Sequence, residues 1–320
     1  MRVVRGLEDL PSRRRPAALT IGNFDGVHRG HAGVIRRLLT HAESRGSTPT
    51  AVTFDPHPRL VLQGVAPPAL ATLERRLELL AEAGVARAVV LTFDRRLAQV
   101  EPEEFIERIL VDELRATSIV VGSMFRFGHL ARGDTTMLRR FGRRLGYAFE
   151  GVRLMELKGR RVSSTEVRHA ISEGDLVWAN LALGRPHRLP GRVVRGAGRG
   201  RGLGFPTANL ALPPGMCLPQ VGIYAGWLEV GRRRLACAAS VGTNPTYGAN
   251  PISVEAHVID FDEDLYAREA ALDLEARIRD EQRFDSPEEL AKAIAADVEE
   301  ARRLLFSAAE ARRRAATRRR

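Results

Sequence analysis

Near residue 184 the hydrophobic pattern of this chain changes period, and that change limits the available folds more than any other feature. Before it, short apolar runs alternate with stretches of helical spacing. AALTI at 17–21 precedes a helix from about Gly30, TAVTF at 50–54 a helix around 73–83, and ARAVVLTF at 86–93 a helix after Pro102. SIVVG at 118–122, a helix around 134–145 and a strand near 147–154 complete the series. Such alternation predicts βαβ units on a parallel sheet covered on both faces, with ligands at the carboxyl ends of the strands. After residue 184, Gly, Pro and β-branched residues crowd 186–266 in short alternating runs such as GIYAGWLEV and SVEAHVIDF, the pattern of a small antiparallel barrel. A last amphipathic helix starts behind the cap-like Asp285 and Ser286, with Pro287 in its first turn. The expectation is an α/β plus β chain: a doubly wound parallel domain over 1–185, an antiparallel β-barrel with a terminal helix over 186–306, and a solvated, disordered basic tail over 307–320.

A length of 320 residues suits two domains, each able to bury a core. The formal net charge of +11 is an arginine excess, since Lys158 and Lys292 are the only lysines, and six of those arginines fall in the last nine residues. What is left for the body is ordinary for a protein handling anionic small molecules, so no nucleic acid is expected as a partner. Cys217 and Cys237 form no CxxC, which predicts two reduced, buried thiols. No apolar run approaches a membrane span, and the opening MRVVRGLEDL lacks a signal-peptide core; a cytoplasmic protein without a membrane partner is expected. The sequence sets no oligomeric state.

Behind the first buried strand comes Thr20-Ile-Gly-Asn-Phe-Asp-Gly-Val-His-Arg-Gly-His31. Gly22, Gly26 and Gly30 permit a tight strand-to-helix turn whose amides face phosphate oxygens. His28 and His31, three apart at a helix start, lie on one face and can reach the same phosphate; the same spacing also fits a metal pair or a capped loop. In Arg161-Val-Ser-Ser-Thr-Glu-Val-Arg168, Ser163 and Glu166 form a capping box, while Ser164 and Thr165 set hydroxyls at a positive helix end with Arg168 one turn on, a cradle for a triphosphate.

In the second half, residues 196–209 read GAGRGRGLGFPTAN. A loop so rich in glycine can lay its amides against phosphates, with Arg199 and Arg201 adding charge; it also fits a flexible hairpin or an RNA-touching segment. Thr207 and Asn209 alternate on an extended segment and so face one side, where a hydroxyl and an amide oxygen can ligate Mg²⁺ held by ATP phosphates.

GNFDGVHRGH, FDPHP at 54–58, GSMFRFGHLARGD at 122–134 and RVSSTEVR together resemble the flavin adenylyltransferase module of prokaryotic bifunctional riboflavin kinase/FAD synthetases. GRGLGFPTAN, GIYAGW at 222–227, VGTNPTYG at 241–248 and VEAH at 254–257 resemble the riboflavin kinase module. The resemblance implies ATP-dependent phosphorylation of riboflavin to FMN and adenylation of FMN to FAD, with Mg²⁺. It assigns ATP contacts to Gly22, Asn23, Phe24, His28, His31, Ser164, Thr165 and Arg168 in the first module and to Gly198, Gly202, Gly204 and Phe205 in the second. It implies flavin contacts at Asp55, Pro56, Pro58 and Phe125, and at Arg279 and Phe284, with Glu255 as the base that takes the ribityl hydroxyl proton. Without those flanking motifs Glu255 reads first as a strand carboxylate paired with arginine.

Two positions depart from the pattern. Met124 stands where the family usually has Asn or Asp, and a thioether supplies neither a carboxamide's donor nor its strong acceptor. Ala267 closes a DLYA turn where the family has DLYG, which disfavours positive φ and predicts a local effect. Two alternatives follow: a riboflavin kinase whose first module has lost or altered adenylation, or a nucleic-acid binder using the glycine–arginine loop and the arginine tail.

Overall fold

The computed structural model describes residues 1–12, 15–196, 199–243 and 252–317. The chain divides into two compact units, Met1–Glu166 and Val167–Arg320.

In the first unit β1 (Arg2–Arg5) and β2 (Ala17–Ile21) are followed by α1 (Arg29–Ser44), β3 (Thr48–Asp55), α2 (Pro58–Gln63), α3 (Leu73–Glu82) and β4 (Arg87–Thr92). The short helices α4 (Arg95–Ala98) and α5 (Pro102–Glu104) come next, the latter continuing as a wider π-helical stretch, Phe105–Glu113. β5 (Ala116–Gly122), α6 (Thr135–Leu145), β6 (Ala148–Val152) and a two-stranded hairpin of β7 (Glu156–Leu157) and β8 (Arg160–Arg161) complete it. The six-stranded sheet runs β1-β4-β3-β2-β5-β6, parallel at every pairing. The edge strand β1 was not foreseen.

Every residue of β2 is buried, as an apolar strand covered on both faces requires. Asp134 caps α6 through the Met137 amide and Thr72 caps α3 through that of Arg75, each meeting one of the donors a helix start leaves unpaired. The chain leaves β2 towards β3 on one side and returns to β5 on the other, so the β2 and β5 carboxyl ends flank the topological switch point, where open parallel sheets bind ligands.

The chain passes into the second unit within α7 (Ser164–Ser172) and continues through α8 (Leu176–Leu183) into β9 (His187–Val194). The sequence reading keeps α8 with the first half, but its contacts are with the barrel: Asn180 donates to the carbonyls of Leu274 (2.8 Å) and Glu275 (3.2 Å) and accepts from the His187 amide (2.8 Å). Next come α9 (Arg199–Gly202), β10 (Ala208–Ala211), β11 (Gly222–Val230), β12 (Arg233–Thr243), β13 (Ile252–Val258) and β14 (Glu269–Arg279). Strands β10-β13-β12-β11-β14-β9 close an antiparallel barrel. Along β13, Val254, Ala256 and Val258 are buried while Ser253, Glu255 and His257 alternate on the other face. α10 (Pro287–Thr317) packs Val298, Ala301 and Leu305 on Ala225, Ala238 and Ile259 of the barrel unit. Ser286 caps it through the Glu289 amide at 3.2 Å, as the sequence predicts. The helix does not stop at Phe306: helical backbone continues to Thr317, because AAEARRRAAT consists largely of strong helix formers without Gly or Pro. Arg318, Arg319 and Arg320 lie outside the described residues.

Ala267 adopts φ +62°, so the turn keeps its left-handed conformation although the side chain opposes it. Its amide donates to the Val193 carbonyl at 2.9 Å, which holds it there. Ala267→Gly is therefore expected to stabilise the barrel by about 0.5–1 kcal/mol, the left-handed penalty less the extra freedom glycine gains in the unfolded chain. Urea denaturation compared between the two proteins checks it, and a lower midpoint for the glycine variant would refute it.

Candidate active sites

At the switch point three sequence motifs converge on one loop. His28 caps α1, its Nδ1 accepting the His31 amide at 3.2 Å, which puts the neutral ring's proton on Nε2. One turn later the His31 ring stacks on it at 3.7 Å between centroids and 14° between planes. Burial, then the neighbouring His28, hold the His31 pKa well below its ordinary value, and its Nδ1 is buried without a hydrogen-bond partner among the described residues. Gly26 turns the loop at φ +78°, but Phe24 (+50°) and Val27 (+36°) also take positive φ, costing about 1–3 kcal/mol each. Phe24 is 2% exposed, its ring in a core with Val27, Ile35 and Leu80 and edge-on to His31 at 5.2 Å. Its ring thus lies between this core and the histidine.

Ser164 opens α7 and its hydroxyl donates to the Asp25 carbonyl at 2.9 Å, tying the RVSST segment to the histidine loop. The Ser163 half of the capping box forms, its hydroxyl accepting the Glu166 amide at 3.2 Å. Thr165 is exposed, and Arg168 lies one turn further along the helix. The FDPHP segment meets the same loop from β3: Asn23 and His57 side chains are hydrogen-bonded at 3.1 Å, the Asp55–Pro56 bond is cis, and Pro58 starts α2. Gly22 follows β2 directly, its amide donating to the Val52 carbonyl at 3.1 Å. Behind β5, Met124 is 71% exposed, while Phe125 stacks on Phe127 at 5.6 Å and packs against the core.

In the barrel unit, a cavity of about 270 Å³ gathers Phe205, Thr207, Glu255, Arg279 and Phe284, five of the residues foreseen. Glu255 on β13 stands opposite Asn209 on β10 and Ser240 on β12. The Thr207 hydroxyl donates to Glu255 Oε2 at 3.1 Å and Asn209 Nδ2 to Thr207 Oγ1 at 3.4 Å, so the hydroxyl, amide and carboxylate form one chain. No salt bridge joins Glu255 to an arginine among the described residues. The glycine loop passes close by: a Cβ on Gly200 would lie 2.3 Å from the Phe205 carbonyl oxygen, so only glycine fits this approach. Gly202 ends α9, Gly204 takes φ +85°, and Gly198 lies outside the described residues, as does most of the VGTNPTYG segment. Arg279 lines the cavity, but its guanidinium forms a bidentate pair with the buried Asp297 of α10 at 2.7 and 2.6 Å and sits 5.8 Å over the Phe284 ring. Its charge is therefore already paired on α10.

Several residues at these sites escaped the sequence reading. Asp25 is buried and accepts from the Leu70 and Ala71 amides at 3.1 Å, and Arg76 donates to the Asn23 and Phe54 carbonyls. In the barrel unit His257 bonds the Pro206 carbonyl at 2.9 Å and packs on Phe205, and Asp297 anchors Arg279. Cys217 and Cys237 are buried and form no disulfide, and burial pushes the Cys237 thiol up to about 12.

Residues 10–166 match the FAD synthetase family and residues 183–305 the riboflavin kinase family. The chain is 39% identical over 305 residues to the bifunctional riboflavin kinase/FMN adenylyltransferase of Pseudomonas fluorescens, covering 95% of this chain and 98% of that one. Against the protein of the same name from Escherichia coli strain K12 it is 38% identical over 300 residues, covering 93% and 96%. Among solved structures, the crystal structure of a macrolide-efflux protein from Streptococcus pneumoniae superposes with a TM-score of 0.86 at 28% identity, covering 94% of this chain and 99% of that one. No helix among the described residues is long and apolar enough to cross a membrane. With an FAD synthetase match and a riboflavin kinase match on one chain, and relatives aligned over nearly its full length, the protein belongs to the bifunctional riboflavin kinase/FMN adenylyltransferase family.

Proposed function

We propose that the barrel site phosphorylates riboflavin to FMN and the switch-point site joins FMN to a second ATP to give FAD, with the functional division near 185/186. The observation that carries the reading is the Thr207–Glu255 hydrogen bond at the cavity, beside a glycine loop with no room for a Cβ.

In the kinase step Glu255 takes the proton of the ribityl 5′-hydroxyl as that oxygen bonds to the γ-phosphorus and the bond to ADP breaks. Thr207 and Asn209 offer hard oxygen atoms on one side of β10. These two would serve as added ligands to an ion carried mainly by nucleotide phosphates and water. Mg²⁺ bound in this way supplies charge neutralisation at the phosphates. In the adenylylation step an FMN phosphate oxygen attacks the α-phosphorus and pyrophosphate leaves; the nucleophile is already anionic and needs no base. His28, His31 and the Thr165 hydroxyl bear on the developing negative charge, with Ser164 holding the loop through the Asp25 carbonyl and Arg168 as the further cation for the departing pyrophosphate. Asp55, Pro56, Pro58 and Phe125 flank the flavin here, and Phe284 flanks it in the kinase site with Arg279 fixed beside it. ATP dependence and two buried cysteines outside any disulfide support a cytoplasmic setting.

Incubation with riboflavin, ATP and Mg²⁺, followed by separation of the flavins, tests the reading. FMN appearing first and FAD after it is expected, whereas FMN accumulating without FAD would contradict the second activity. With both family domains present, neither the kinase-only reading nor nucleic-acid binding is favoured. Exposed beside the switch point, Met124→Asn restores a polar partner there and is expected to raise FAD formation; an unchanged rate would mean the thioether is tolerated.

A further inference from the structure

Two of the three motif segments that meet at the switch point are held together by one side chain that belongs to neither. Arg76, in the first turns of α3, is 8% exposed. Its Nη1 donates to the Asn23 carbonyl at 2.7 Å and its Nη2 to the Phe54 carbonyl at 3.2 Å. Asn23 lies in the histidine loop and Phe54 starts the FDPHP segment, so one planar guanidinium spans the ends of β2 and β3. Thr53 Oγ1 reinforces the first contact, donating to the same Asn23 carbonyl at 3.3 Å. The residues just before α3 grip the loop again where the Leu70 and Ala71 amides bind the Asp25 carboxylate.

This arrangement is an expensive way to fill space. Burial lowers the pKa of Arg76, opposed by the negative charges of Asp25 and Asp55, and its Nε is buried with no hydrogen-bond partner among the described residues. An apolar side chain of similar volume would avoid that desolvation. What it would lose is a rigid two-point link between two loops, one of which contains Phe24 and Val27 at positive φ and relaxes if released.

We infer that Arg76 is a positioning residue for FMN adenylylation, setting the histidine loop against the FDPHP segment so that nucleotide and flavin phosphate meet in line. The inference rests on the reading of the switch-point site as the adenylyltransferase. Arg76 acts through the two backbone segments and touches neither reacting group.

The test uses the full chain with Arg76→Met, Arg76→Lys and wild type, each assayed for FMN adenylylation and for riboflavin phosphorylation on the same preparation. Wild type must first form FAD from FMN; its failure would count against the proposed function and not against Arg76. Given that activity, Arg76→Met is expected to lower kcat for adenylylation by about 10- to 100-fold, the scale of an ångström-sized misplacement. The KM values for FMN and ATP should change less than kcat, and the kinase rate should be unaffected. Arg76→Lys, which keeps the charge and can reach a carbonyl, recovers part of the loss. If Arg76→Met loses its thermal transition, Arg76→Lys alone decides, by a fall in kcat with normal melting. Adenylylation within twofold of wild type in a folded variant, or a loss that merely tracks the unfolded fraction, would overturn the assignment.

Discussion

Glu255→Gln is expected to lower riboflavin phosphorylation by about 10²- to 10⁴-fold, the range for removing a positioned general base. The amide oxygen of Gln still accepts the Thr207 hydroxyl that now bonds Glu255 Oε2 at 3.1 Å, so the barrel and its cavity should be retained. In the proposed reaction the function lost would be proton acceptance from the ribityl hydroxyl. The decrease should therefore fall on kcat, with the KM for ATP little changed, because the glycine loop and Thr207 remain. A variant that phosphorylates riboflavin at the wild-type rate would reduce Glu255 to a strand carboxylate.

His31→Gln carries the second large effect, a loss of about 10²- to 10³-fold in FAD formation from FMN, the magnitude found when one preorganised donor to a developing oxyanion is removed. The ring is neutral at pH 7 because burial and His28 hold its pKa well down, so in the proposed reaction it would serve as a fixed N–H donor whose proton affinity rises as the phosphate charge develops. The same depressed pKa has a consequence for folding. Below about pH 6.5 the unfolded imidazole takes up a proton before the folded one does. Stability from this group is therefore complete above that pH and declines as pH falls towards the folded value, by at most about 1.4 kcal/mol per pH unit. Denaturant midpoints of wild type and His31→Gln between pH 7.5 and 5.5 test the sign: the variant should lose less stability on acidification.

The architecture was legible because its signals are periodic. AALTI and SIVVG read as strands buried on both faces, and SVEAHVIDF alternates as a barrel strand must. The convergence of motifs was less accessible. The bond from Ser164 to the Asp25 carbonyl joins positions 139 residues apart and follows only from the sheet order. Arg76 left a trace: LERRLELL places it on the stripe of Leu73, Leu77 and Leu80, where a charged residue has no reason to lie unless something buried needs it. The place of the Phe24 ring was not legible, since it depends on a left-handed backbone that turns the ring into the core. The helix end misled because an arginine run looks like tail, although the alanines among those arginines favour continued helix. Asp297 was hidden because its role depends on Arg279 lying across from it on another element.

The central claim is that one chain carries two ATP reactions at separate sites, linked by FMN. The most direct measurement supplies Glu255→Gln and His31→Gln, each alone, with riboflavin or with FMN in the presence of ATP and Mg²⁺, and follows both products. Glu255→Gln should convert FMN to FAD at the wild-type rate while failing to make FMN, and His31→Gln should make FMN at the wild-type rate while failing to make FAD. A single substitution that abolishes both reactions in a folded protein, or neither, would contradict it.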